Sequence, residues 1–166
     1  MSKTGYSLIA IVAPLLLGRA LEQEAPGPAI EWRFARETPA PGYVYMAFAY
    51  PEGRAGQPMP GFYVENRTVL TVDDFRALEW TVTEAGLNLD VLLKQETAVR
   101  MARETEARLG QYFVALVNSR LVSAAKLIVV IGEDPDLPIF IGLRLPQGVA
   151  TETAARLQMR PVRPTR

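Results

Sequence analysis

Between Gly86 and Val117 the hydrophobic period of the chain changes twice, and that change constrains the fold more than any other feature. Gly86 to Leu93 alternates, with Leu87, Leu89, Val91 and Leu93 on one face and Asn88, Asp90 and Leu92 on the other. That is the period of a half-buried strand. From Gln95 to Leu109 the period lengthens. Ala98, Met101, Ala102, Thr105 and Leu109 fall on one helical stripe. Gly110 follows where a left-handed C-cap would end the helix. Tyr112–Val117 is a short apolar run of strand formers. Asn118-Ser119 then turns the chain into another strand, expected over Leu121–Ile131. None of these segments pairs a nucleophile with a base. The centre of the chain reads as a packing and binding scaffold.

Composition narrows the chemistry further. A length of 166 residues fits one domain with a real core. The 18 basic and 18 acidic residues cancel, which argues against bulk electrostatic binding to nucleic acid or an anionic membrane. With no cysteine, disulfides, thiolate nucleophiles and cysteine metal sites are excluded. With no histidine, the commonest general base and the commonest metal ligand are both missing. No GxxxxGK or GxGxxG phosphate loop occurs. No cofactor is expected, and no catalytic, cofactor-binding or metal residue is assigned.

Residues 1–20 read as an export signal. Lys3 precedes the uncharged apolar run Tyr6–Leu17, and small residues at Gly18 and Ala20 suit cleavage after Ala20. The run is shorter than the roughly 20 residues of a membrane span. An uncleaved anchor and a buried helix are the alternatives. Residues 21–60 form a proline-rich lead-in, with Pro26, Pro28, Pro39 and Pro41, that carries two strand-like segments. Ala29–Ala35 alternates Ile30, Trp32 and Phe34 and is expected as an edge strand. Tyr43–Tyr50 is aromatic and is expected to pack on the core or to present an aromatic binding surface. Pro51–Pro60 is expected as a loop.

Residues 61–160 hold the main domain and 161–166 a tail. Gly61–Glu65 is expected as a strand. Thr71-Val72-Asp73-Asp74 has the form of a capping box, with Asp74 in the usual glutamate position, before a short helix expected over Val72–Leu78. Candidate chemistry is sparse. Glu133, Asp134 and Asp136 cluster in a loop that offers either oxygens to a divalent metal or, around Pro135, a plain turn. Asp73 and Asp74 suit capping and helix-dipole compensation better than a catalytic pair. Glu96–Arg100 and Glu104–Arg108 are spaced for ion pairs along a solvated helix face. Ser119 and Ser123 have no histidine to activate them, and Lys126 stands in no motif.

The segments Tyr63-Val64-Glu65 and Val69-Leu70-Thr71-Val72-Asp73-Asp74 resemble the opening of the periplasmic head of SecD, the accessory subunit of the Sec translocase. The resemblance continues through Leu87–Leu93, Gln95–Leu109, Gly110, Tyr112–Val117 and Ser123. Leu143–Arg160 is similar to the family's closing loop and alanine-rich helix, with Ala154, Ala155 and Leu157 apolar. Arg160-Pro161-Val162-Arg163-Pro164 looks like the linker after it. Departures are specific. The family's Asp-Gly hairpin is replaced by Asn118-Ser119, and its proline after the serine by Ala124-Ala125. The loop Arg144–Ala150 looks longer than the family's, and its membrane helices are absent after residue 20. The resemblance therefore implies a fold and a polypeptide-binding surface, not a proton-driven motor.

The expected fold is α+β. It has a ferredoxin-like β-α-β-β-α-β core from Phe62 to Val117. A strand pair follows at Leu121–Ile131 and Leu137–Leu143, then a C-terminal helix near Thr151–Met159. Three functions compete. The first is a non-catalytic exported binding module for a polypeptide or envelope protein in the periplasm, in which an edge such as Tyr43–Tyr50 accepts an extended chain by strand addition. The second is a direct accessory of protein export with the Sec translocase as partner. The third is an envelope enzyme using carboxylates or a divalent metal at Glu133, Asp134 and Asp136. No nucleic-acid partner is expected.

Overall fold

The computed structural model describes residues 30–50 and 61–158. The expected export signal, the Pro51–Pro60 loop and the arginine-proline tail lie outside the described residues. In chain order the elements are strands β1 (Ile30–Arg36), β2 (Tyr43–Met46), β3 (Phe62–Glu65), β4 (Leu70–Thr71), β5 (Phe75–Thr83) and β6 (Gly86–Leu93). Helix α1 (Gln95–Glu106) follows, then strands β7 (Tyr112–Val117), β8 (Arg120–Lys126) and β9 (Ile139–Leu143), and helix α2 (Gln147–Gln158). The strands form two antiparallel sheets. One has the order β2-β3-β1-β7-β8, with β4 also on β1; the other has the order β5-β6-β9.

The α+β class stands, but the ferredoxin-like order is not confirmed. The helix expected over Val72–Leu78 is a single 3-10 turn, Val72–Asp74. From Phe75 the chain is already strand, because Phe75, Leu78 and Trp80 pair with Leu93, Val91 and Leu89. Those positions put apolar side chains against the core cluster, and pairing of eight residues outweighs a one-turn helix signal. The expected strand pair does not exist either. β8 pairs with β7, whereas β9 crosses to β6, with Leu143 opposite Leu87 and Ile139 opposite Val91.

Ile30–Arg36 is central rather than an edge. It has β7 along one side and β3 and β4 along the other. Its alternation buries Ile30, Trp32 and Phe34 on the face toward the second sheet, while Ala35 is buried on the opposite face. The main core joins these residues to Leu87, Leu89 and Val91 of β6, to Ala98 and Met101 of α1, and to Ala150, Ala154 and Leu157 of α2. Burial at about 25 cal/mol per Å² of apolar surface is the dominant stabilising term. Ala155, expected among the apolar positions of α2, is exposed, and α2 starts at Gln147, which shortens the expected Arg144–Ala150 loop.

A second cluster, Ala35, Phe62, Val64, Val114, Leu116 and Leu121, fills the other face of the larger sheet. Its aromatic lid places Phe62 at 4.5 Å from Tyr112 and 5.9 Å from Phe48. β2 and β8 stand at opposite ends of the strand order. Yet the Ala49 N–H donates to the Leu121 carbonyl at 2.8 Å. The link from Met46 to Ala49 reaches about 10 Å at most. The sheet must therefore curl around this second cluster.

The segment after β8 explains why the strand expected to Ile131 stops at Lys126. Leu127 exchanges backbone hydrogen bonds with Gln111 and Gly110 at 2.8 Å each. The chain then crosses α1. The Ile131 N–H donates to Thr105 Oγ1 at 2.9 Å, and that hydroxyl donates to the Met101 carbonyl at 2.7 Å. Gly132, at φ +86°, lies so close that an added Cβ would sit 2.5 Å from the Ala98 carbonyl oxygen. Helix α1 is thus held between the core and this strap. Ala98, Met101 and Thr105 of its expected stripe are buried, joined by Thr97; Ala102 is half-buried, and Leu109 lies beyond the helix end and is half exposed.

Asp74 fastens the corner between the sheets. Its carboxylate accepts from the Thr71 N–H at 2.8 Å, from Thr97 Oγ1 at 3.2 Å and from Arg100 Nη2 at 3.0 Å. It closes the turn and also sits at the N-terminal turn of α1, where a negative charge is favoured. Asp74→Ala is expected to lower stability by about 1–3 kcal/mol in chemical denaturation, since it strands several donors at once. The β7–β8 turn predicts a gain. Asn118 and Ser119 have φ of 51° and 60°, the type I′ pattern that favours glycine second. Ser119→Gly is expected to raise the denaturation midpoint, by up to about 1 kcal/mol, as relief of left-handed strain exceeds the added chain entropy.

Arg67 fixes the far end of α1. It holds Glu104 through two hydrogen bonds, at 2.6 and 3.2 Å, and reaches Glu65 at 3.4 Å. The Arg67 hydrogen bond holds the Glu104 carboxyl below its ordinary 4.5. A carboxyl depressed in the folded state stabilises above its unfolded value and loses that contribution as pH falls through the folded one. Arg67→Ala is therefore expected to lower stability modestly near pH 7, by less than about 1 kcal/mol for so solvated a pair, and the difference from the unaltered chain should shrink as pH falls through the folded-state value, measured by chemical denaturation at pH 7 and at acid pH.

Candidate binding surface

The residues with potential for chemistry are dispersed by the fold. In the Glu133–Asp136 loop, Asp134 Oδ1 accepts the Asp136 N–H at 2.9 Å, the mark of a turn closed by its own side chain. Asp136 is drawn away to Arg76, whose guanidinium also reaches the Pro135 carbonyl. Among the described residues, no three acidic side chains gather as a metal site. Ser119 lies in the β7–β8 turn. Ser123 Oγ donates to the Gly142 carbonyl at 3.0 Å, tying β8 to β9. Lys126 ends β8, exposed and opposite Tyr112.

Of the two expected helix ion pairs, Glu104–Arg108 forms at 3.7 Å and Glu96–Arg100 does not. Arg100 turns to Asp74 and to the Val69 carbonyl rather than to Glu96. Glu104 bonds Arg67, with Arg108 at 3.7 Å as a secondary neighbour. Arg108 also lies over the Phe34 ring at 4.4 Å, a cation–π contact that closes the open end of the core. These charges bind elements to one another. Arg67 escaped the sequence reading because its partner is remote in the chain.

What the fold leaves open is an edge. Among the described residues β2 pairs with β3 alone, in unbroken register from Tyr43 opposite Glu65 to Met46 opposite Phe62. Only its first half matches the aromatic strand expected over Tyr43–Tyr50, since Ala49 is used at Leu121. Val44 and Tyr45 are 58% and 56% exposed, on opposite faces. Tyr45 meets Tyr63 edge-on at 5.4 Å, and its hydroxyl accepts the Gly61 N–H at 3.2 Å. Arg36 stands over Tyr43 at 5.8 Å. The result is a small tyrosine platform beside a row of backbone groups. A second exposed apolar set, Ile128, Val129, Leu137 and Phe140, flanks the strap. All four fall within the strands expected over Leu121–Ile131 and Leu137–Leu143, and of these only Phe140 lies in a strand.

No family model matches the chain, and no curated protein matches it. Two solved structures share its architecture. One, described as the structure and function of a membrane component SecDF that enhances protein export, aligns at a TM-score of 0.54 and 14% identity, over 83% of this chain and 65% of that one. The other, SecDF in a super-membrane-facing form, aligns at 0.52 and 14% identity, over 82% of this chain and 19% of that one. This chain thus spans less than two thirds of either. Among the described residues no helix is long and apolar enough to cross a membrane. The likeness is one of fold: this chain is similar in architecture to part of SecDF.

Proposed function

We propose that this chain is an exported, non-catalytic binding module that contacts a polypeptide or envelope protein in support of protein export. The observation that carries the reading is the shared fold over 83% of the chain with a SecDF structure described as enhancing protein export. Residue chemistry supports it. The carboxylates that a metal-dependent enzyme would need serve a turn and an ion pair with Arg76. An edge strand and exposed apolar side chains remain available for contact. In this reading residues 1–20 direct export, residues 61–160 form the head, and the Sec translocase is the natural neighbour.

Localisation tests the reading. The full chain should yield a periplasmic product whose mass begins near Leu21, with photo-crosslinks from the head to exporting chains or to the translocase. A full-length product that is soluble in the cytoplasm would end the export reading. Calorimetric titration with Ca²⁺ or Zn²⁺ should give no heat. A stoichiometric heat lost in Asp134→Asn would restore the metal-dependent alternative.

A further inference from the structure

The free strand edges are not alike. At the β5 end, Arg76 and Glu79 lie on the strand and a bulge falls between Phe75 and Ala77. At the β8 end, Arg120 and Lys126 flank the strand, a bulge lies opposite Ala115 and Leu116, and Ala49 closes on Leu121. β9 has Ser123 of β8 against its Gly142 carbonyl. Charges, bulges and covering contacts are the devices by which proteins keep edges from pairing with other chains. Among the described residues β2 carries no charge and no bulge, and beyond its pairing with β3 only its first N–H, that of Tyr43, is engaged, by the Ala40 carbonyl at 3.2 Å. Its four residues are uncharged, as are the next four to Tyr50, and its register is unbroken.

We infer that β2 is a docking edge for an uncharged, extended polypeptide segment with apolar side chains at alternate positions. This deepens the proposed function and rests on it. An added strand would lay one set of side chains beside Tyr43, Tyr45 and Tyr63 and the other beside Val44. β2 itself carries no charge, Arg36 stands over the Tyr43 ring, and Glu65 lies beside Arg67 and Arg108. A charged segment would therefore lose water with no partner to compensate it. A second copy of the chain fits less well. A four-residue strand, roughly 13 Å long, offers far less than the about 800 Å² per partner of a stable interface. An extended peptide can gain from the same backbone hydrogen bonds without needing that area.

The test is fluorescence anisotropy with a labelled, capped peptide of alternating valine and threonine, and with its counterpart N-methylated at alternate amides. The unaltered chain should bind the first and not the second. Val44→Lys, at a side chain already exposed, should weaken binding at least tenfold with an unchanged circular dichroism spectrum. Val44→Thr and Ile128→Lys should leave it intact. Binding that survives Val44→Lys, or that is lost equally in Ile128→Lys, overturns the edge and leaves the proposed function standing. Absence of peptide binding to the unaltered chain overturns the docking inference, while localisation and crosslinking decide the broader reading separately. A dimer in sedimentation that Val44→Lys dissociates overturns the peptide in favour of a second copy.

Discussion

One carboxylate stands where the chain passes from its first sheet to its second. Asp74 receives donors from Thr71 at the end of β4, from Thr97 in the first turn of α1 and from Arg100 one turn further. Its own backbone carbonyl accepts the Lys94 N–H at 3.0 Å. The corner of the chain and the start of the helix are thus held by one residue. The hydrophobic core supplies most of the stabilisation, but it is non-directional. Two sheets with apolar faces can meet at many angles; a hydrogen-bonded corner selects one. Arg67 and Glu104 then fix the other end of α1, so the helix cannot pivot about its first turn.

The strap over α1 completes that restraint from outside. Thr105 is a poor helix former, yet it is fully buried, because its hydroxyl both returns to the Met101 carbonyl and receives the Ile131 N–H. Gly132 allows the backbones to approach where a methyl group would collide. Arg76 draws in Asp136 at the end of the strap. Closing the strap this way leaves Ile128 and Val129 in solvent on its outer side. Their exposure follows from how the segment is pinned, and does not by itself mark a partner.

Local pattern carried the elements it could encode. The strand at Leu87–Leu93, the helix from Gln95 and the strand Tyr112–Val117 stand where their periods place them. Asp74 acts as the cap its motif implies. The failures share a cause. Whether Val72–Leu78 is helix or strand depends on β6 lying alongside, and a capping box cannot register a neighbour that is remote in sequence. Trp32 alternates equally well in an edge or a central strand, and only the partners of β1 decide between them. The pairing of β9 with β6 is likewise a long-range fact. At the surface the tyrosines of β2 were visible in the sequence as an aromatic run. Their grouping with Tyr63, and the freedom of the edge beyond them, depended on the fold.

Absent histidine also shapes what such a surface can do. Histidine is the side chain whose ordinary pKa lies in the physiological range, and this chain has none. The Arg67 hydrogen bond pushes Glu104 down, and the hydrogen bond to Glu37 pushes the Tyr112 phenol up; both shifts lead away from neutrality. The chain therefore has no imidazole with which to sense modest changes of pH. Among the described residues, the pairs Arg67–Glu104, Arg76–Asp136 and Arg100–Asp74 hold α1, the strap and the sheet corner. What β2 adds to that surface is uncharged: backbone groups and the exposed side chains of Val44 and Tyr45.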